Sequence, residues 1–156
     1  MNYSIWIPQD AIDFILKNGK EWSPMETGGV LIGYRASEEV FVITKVIGPG
    51  NKAIHKRYSF EPYQNYHELE ISRLYFESGQ IETYLGDWHT HPKSYPYLSS
   101  RDKETFRTIA LHKESRLINP IMLIMSSPSP EFKIWVLNQS KKKHRDSYVE
   151  CGIIIY

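Results

Sequence analysis

The chain is poor in several features that would place it in common functional classes. Cys151 is its single cysteine, so no internal disulfide is possible, and a reducing, cytoplasmic compartment is the expectation. No apolar run approaches the ~20 residues needed to span a bilayer, and no basic segment leads into an apolar one at the start. Neither sign of charge is in excess. Lys plus Arg number 19 against 18 Asp plus Glu, a net charge of +1, which argues against nucleic acid or a membrane as a partner. Internal repeats, low-complexity tracts and linkers are also missing. What remains is an ordinary globular composition, 41% hydrophobic and 13% aromatic over 156 residues, and residues 1–156 are expected to form a single domain with a sizeable core.

Apolar periodicity divides the chain into alternating elements. Ile5 to Ile7 reads as a short strand, followed by a helix with Ala11, Ile12, Ile15 and Leu16 on one face and a stop at Asn18-Gly19. Glu21 to Met25 reads as a polar loop that delivers Glu26 to a buried strand, Gly28 to Tyr34, whose paired glycines let backbone pass close to a neighbour. Val40 to Ile47 is a β-branched strand closed by Gly48-Pro49-Gly50-Asn51, with Glu38 and Glu39 solvated before it. Lys52 to Phe60 reads as an extended segment in which His55-Lys56-Arg57 form a solvated basic edge. Pro62 to Ser78 reads as a second helix, with Tyr66, Leu69, Leu74 and Phe76 apolar, His67 structural and Gly79 as its stop. Ile81 to Trp88 is the central strand, and Ser99 to about Lys113 a third helix burying Phe106, Ile109 and Ala110. Pro120 to Met125, Phe132 to Leu137 and Tyr148 to Tyr156 read as the closing strands, with a turn at Pro128-Ser129-Pro130 and a solvated basic run from Lys141 to Arg145. The expected class is α/β, a mixed central sheet flanked by about three helices.

The chemistry concentrates in Gly86-Asp87-Trp88-His89-Thr90-His91-Pro92 and, downstream, Leu98-Ser99-Ser100-Arg101-Asp102. At a strand end, residues two apart share a face, so His89 and His91 converge. Two imidazoles invite a metal, and a catalytic zinc takes three protein ligands, leaving its fourth position to water. Asp102 is the natural third ligand, because Ser99 has the character of a helix N-cap and a residue three further on lies in the first turn. A cap alone also explains that serine and aspartate, but a carboxylate placed by a cap is equally a carboxylate held still for a metal. Glu26 would otherwise be a solvated loop residue. Beside a metal site it becomes a candidate base for water and acid for a leaving amine.

His89-x-His91-Pro92 followed by Ser99-x-x-Asp102, with Glu26 just ahead of Thr27-Gly28-Gly29-Val30-Leu31-Ile32-Gly33, resembles the signature of the JAMM (MPN+, JAB domain) zinc metalloproteases. The resemblance implies a mixed sheet, partly barrel-like, between helices, as in the cytidine-deaminase-like MPN fold. It implies one catalytic Zn2+ on His89, His91 and Asp102, Glu26 as proton shuttle and Ser99 stabilising the oxyanion. The implied reaction is hydrolysis of the amide bond after the C-terminus of a ubiquitin-like protein or other conjugated protein, its tail lying along a sheet edge. The segments around Glu26 and His89 look most like the prokaryotic stand-alone branch, in particular the deconjugases of CBASS-type antiphage operons, which detach a nucleotidyltransferase. Activating and conjugating enzymes of the same operon are then the implied partners.

Other readings of the same residues are a sulfur-carrier-processing peptidase, a RadC-like relative and a non-catalytic MPN scaffold. The near-neutral charge gives no support for the DNA link of the RadC-like proteins, and the complete ligand set speaks against a bare scaffold. A zinc nucleobase deaminase would need a Cys-x-x-Cys pair, which a single cysteine excludes. His112 reads as a helix C-terminal charge and not a ligand. The aromatic loop Lys93 to Leu98 is a candidate wall for a substrate groove.

Overall fold

A computed structural model describes residues 2–111, 117, 119–127, 129–139 and 147–156. In chain order its elements are β1 (Ser4–Ile7), α1 (Gln9–Trp22), β2 (Gly28–Arg35), β3 (Val40–Ile47), β4 (Ile54–His55), β5 (Phe60–Glu61) and α2 (Gln64–Glu77). There follow β6 (Thr83–Pro92), α3 (Ser100–Leu111), β7 (Ile121–Ser127), β8 (Phe132–Asn138), β9 (Ser147–Glu150) and β10 (Gly152–Ile155). Eight strands form one sheet in the order β10-β1-β3-β2-β6-β7-β8-β9, while β4 and β5 pair only with each other. The sheet is mixed: β6 runs antiparallel to β2 and parallel to β7.

Alternation along the strands assigns each helix to a face. Leu31, Trp88, Leu123 and Met125 pack with Ala11, Ile12 and Ile15 of α1. Their chain neighbours point the other way, Val30 and Ile32 toward Leu74 of α2, Met122 and Ile124 toward Phe106 of α3. This puts α1 on one face, α2 and α3 on the other.

The last expected strand is two. It breaks at Cys151 because β9 pairs with β8 at one edge of the sheet while β10 pairs with β1 at the other. The Cys151 N–H donates to Ile134 O at 2.8 Å, so the chain steps across where the two edges curl toward each other, the partly barrel-like closure the resemblance implies.

Several expected boundaries move for identifiable reasons. Helix α1 does not stop at Asn18-Gly19 and absorbs the start of the expected loop, Glu21 and Trp22. Gly19 is a contact residue instead: a Cβ there would lie 2.2 Å from Met125 Cε, so its bareness lets α1 settle on the sheet. The paired glycines of β2 behave as expected, a Cβ on Gly29 meeting Ile47 O at 1.8 Å and one on Gly28 meeting Trp88 O at 2.5 Å. In α2 the inward residues are Tyr66, His67, Ile71 and Leu74, whereas the apolar Leu69 and Phe76 are 72% and 68% exposed. His67 is structural, its Nε2 donating to Gly48 O at 2.7 Å, and Gly79 ends the helix with a φ of +71°.

Strand β6 begins later than Ile81, which is exposed, and continues through both histidines to Pro92, because β7 supplies parallel partners as far as Ser127. Helix α3 buries Phe106 fully, Ile109 and Ala110 only in part. His112, Lys113, Pro128 and the run from Lys141 to Arg145 lie outside the described residues. Among the described residues no helix is long and apolar enough to cross a membrane.

Candidate metal centre

Three elements meet where β6 leaves the core. Trp88 and Thr90 turn toward α1, Trp88 edge-on to Phe14 at 6.5 Å and Thr90 against Gly19, so His89 and His91 turn to the opposite face. Their Nε2 atoms are 3.1 Å apart. Asp102, in the first turn of α3, reaches them with Oδ1 2.9 Å from His89 Nε2 and Oδ2 3.3 Å from His91 Nε2. One ligand atom from each of the three lies within 4.8 Å of the others, and among the described residues this is the one such group of His, Cys, Asp and Glu.

The supporting contacts fix ring orientation and tautomer. His91 Nδ1 lies 3.2 Å from Tyr95 O; a carbonyl can only accept, so Nδ1 carries the proton and Nε2 keeps its lone pair for a metal. The Tyr97 ring stands edge-on to the His91 imidazole at 5.2 Å. The aromatic loop therefore contributes a backbone carbonyl to the site, while Tyr95 itself is 80% exposed. Ser99 caps α3: its Oγ accepts from Asp102 N–H at 3.1 Å, and its own N–H donates to Asp102 Oδ2 at 2.9 Å. This reciprocal cap aims the aspartate while leaving the serine hydroxyl proton uncommitted by that bond.

On the other side of the ligands, the turn before β2 is strapped to the strand that carries them. Thr27 N–H donates to Thr90 Oγ at 3.0 Å and Thr90 N–H returns a bond to Thr27 O at 2.9 Å. Glu26 is next in the chain, half-buried. Burial raises the pKa of its carboxyl above the ordinary glutamate value; His89 and His91 pull it down, Asp102 pushes it up and Arg101 pulls it down. The Glu26 carboxyl thus senses all three candidate ligands.

Burial would also raise the pKa of Asp102, but its hydrogen bonds to His89 and His91 hold it well below the carboxylate range. For His91, burial acts to lower the pKa and Asp102 outweighs it, leaving the imidazole more basic than usual. The donor set, two imidazole nitrogens and one ionised carboxylate, fits a small, borderline-soft divalent cation.

Sequence reasoning reached Glu26, His89, His91, Ser99 and Asp102, and the fold brings all five to one place. It missed the partners that hold them. His55 is not part of a solvated basic edge: its ring stacks on Trp22 at 3.4 Å between centroids, and its Nδ1 meets Glu26 O at 2.9 Å. Arg101 was passed over as well, although its Nη1 donates to Tyr58 O at 3.3 Å, joining α3 to the β4–β5 hairpin. No local pattern marks either residue, because both contacts are long-range.

Against known proteins, residues 8–138 match the family described as prokaryotic homologs of the JAB domain. A probable metalloprotease of Sinorhizobium fredii is 41% identical over 122 residues, covering 78% of this chain and 74% of that protein. A CD-NTase/cGAS isopeptidase of Escherichia coli is 35% identical over 52% of this chain and 51% of its own length. Another from Vibrio cholerae is 31% identical over 60% and 59% respectively, so the matches span about half to three-fifths of these two relatives. The solution structure of a Desulfitobacterium hafniense protein superposes with a TM-score of 0.70 at 19% identity, over 97% of this chain and 92% of that one, a likeness of fold.

Proposed function

Because this chain belongs to the prokaryotic JAB-domain family, a family of metalloprotease type, we propose that it is a zinc-dependent isopeptidase that releases a conjugated protein from the amide joining its C-terminus to an amine. The observation that carries this reading is the convergence of His89, His91 and Asp102 with the Glu26 carboxyl beside them.

In this reading His89 Nε2, His91 Nε2 and an Asp102 oxygen hold the ion. Zinc bound there would supply a Lewis acid that lowers the pKa of water toward neutrality and polarises the scissile carbonyl. Glu26 receives the proton of the attacking water and passes it to the leaving amine nitrogen, so one carboxylate serves as base and then as acid. Its burial suits the role of base, since a raised pKa makes the carboxylate a stronger proton acceptor and brings it nearer the working pH. Ser99 keeps its Oγ in place through the helix cap, and its hydroxyl proton donates to the oxyanion as the carbonyl carbon becomes tetrahedral. The Tyr95 carbonyl and the Thr27–Thr90 strap hold the imidazoles and the base in register, so little reorganisation is left to the reaction.

For the substrate, the names of the relatives from Escherichia coli and Vibrio cholerae favour a conjugated nucleotidyltransferase over a free sulfur-carrier protein, and with it a role in antiphage defence. The test is cleavage of two conjugates by the zinc-loaded protein: a nucleotidyltransferase, and a ubiquitin-like protein, each joined through its C-terminus to a lysine side chain. Release of the first, abolished by a chelator and by Glu26→Ala, is the expected result. Cleavage of the ubiquitin-like conjugate alone would replace the substrate, and cleavage of neither by a folded, zinc-loaded protein would overturn the isopeptidase reading.

A further inference from the structure

Glu26 occupies the gap between α1, which ends at Trp22, and β2, which begins at Gly28. Neither a helix nor the main sheet holds it. Both of its main-chain polar groups are instead taken by the β4–β5 hairpin: its N–H donates to Lys56 O at 2.8 Å, and its C=O faces His55 Nδ1 at 2.9 Å. As a carbonyl only accepts, His55 must carry its proton on Nδ1.

The imidazole that donates this bond is itself clamped. It lies flat on Trp22, with centroids 3.4 Å apart and planes 8° from parallel, and Phe60 flanks it at 5.3 Å. Trp22 is the last residue of α1, so the stack fastens the hairpin to the helix end that leads into Glu26. Phe60 in turn lies where a Cβ on Gly28 would meet its ring at 3.0 Å, tying the hairpin to the first residue of β2. The far end of the hairpin is tied to the ligand side, through the Arg101 bond to Tyr58 O one residue before Asp102.

We propose that His55 is a positioning residue for the Glu26 carboxylate: its Nδ1–H and its stack on Trp22 set the main chain from which that carboxylate reaches the metal centre. The inference rests on the reading of Glu26 as the catalytic base. His55 does not touch the reacting atoms; it acts through Glu26. Loss of its hydrogen bond shifts the base while leaving the metal ligands, which belong to β6 and α3, where they are. A shift of ~1 Å in a reacting group costs on the order of 100-fold in rate.

The experiment compares kcat, KM, zinc per chain and melting temperature for wild type, His55→Phe, His55→Asn, Trp22→Phe and Glu26→Ala on the cleaved conjugate. His55→Phe keeps a ring on Trp22 and removes the donor; its kcat is expected to fall about 10- to 100-fold, with KM and zinc content unchanged. His55→Asn restores an N–H donor and should recover part of that loss. Trp22→Phe leaves the hydrogen bond and thins the stack, so it should give a smaller fall and serves as the independent variant if His55→Phe melts early. A kcat for both His55→Phe and Trp22→Phe within about two-fold of wild type, with Glu26→Ala inactive, would overturn the inference and leave the base in place. Zinc loss that accounts for the whole fall would overturn it too, as a structural role. A wild type no faster than Glu26→Ala would remove the base itself, and His55's role with it.

Discussion

The two halves of the candidate site are built differently. The ligand half is made by the main fold: His89 and His91 lie in β6, which pairs with β7 in continuous register through Pro92 and with β2 as far as His89, and Asp102 is anchored by α3, whose Phe106 is fully buried. The base half is made by a two-stranded hairpin outside the main sheet, which meets the Glu26 main chain through two hydrogen bonds and the end of α1 through the stack of His55 on Trp22. On the proposed reading, metal binding and proton transfer therefore draw on separate structural supports. They should therefore be separable by mutation.

The largest break in that comparison comes from the ligand half. His89→Ala should reduce zinc affinity by at least about 100-fold and abolish cleavage, read by metal titration and activity on the same sample. Phe106→Ala should cost ~3–5 kcal/mol in urea unfolding, because it empties a filled core position under α3. The same change should weaken zinc binding by releasing Asp102 while leaving the Glu26 hairpin intact.

Ser99→Ala sharpens the comparison, since this residue caps the helix and, on the proposed reading, also serves the reaction. Loss of the cap should cost ~0.5–2 kcal/mol of stability. Loss of the hydroxyl donor should lower kcat by about 100-fold or more, with most of the zinc retained.

The smallest expected effect is a titration. In the metal-free protein the Glu26 carboxyl should titrate above the ordinary glutamate value of 4.5, because burial disfavours its charge. With the pKa raised, the carboxylate is lost on acidification earlier than in an exposed glutamate. Added zinc places positive charge nearby and should move the midpoint down. Carbonyl-carbon NMR of a labelled sample reads both; a midpoint at or below the ordinary value without metal would show that Glu26 is not buried as described.

What was legible in the sequence follows the same division. The ligand half could be read because its information is local: a two-residue spacing on a strand, and a serine three residues before an aspartate at a helix start. Strand β3 was legible for a similar reason, its β-branched run being bounded by turn residues on both sides. The base half could be recognised only once the metal motif and the resemblance were in hand, and its support not at all. His55 and Trp22 are far apart in sequence and meet through tertiary contact, so His55 reads as one more residue of a basic run. Gly19 misled in the same way, since a glycine near a helix end signals a stop unless the sheet atoms it must admit are known. Which apolar residues of α2 face inward was not legible either: Ile71 and Leu74 pack on the sheet, while Leu69 and Phe76 are exposed.

The central claim is that His89, His91 and Asp102 bind the metal and that Glu26, standing beside them, does not. Zinc per chain, measured on folded wild type, Asp102→Ala and Glu26→Ala, tests it most directly. The account predicts about one zinc in the wild type and in Glu26→Ala, and close to none in Asp102→Ala. A folded wild type that takes up no zinc, or an Asp102→Ala protein that holds it as tightly as the wild type, would contradict it.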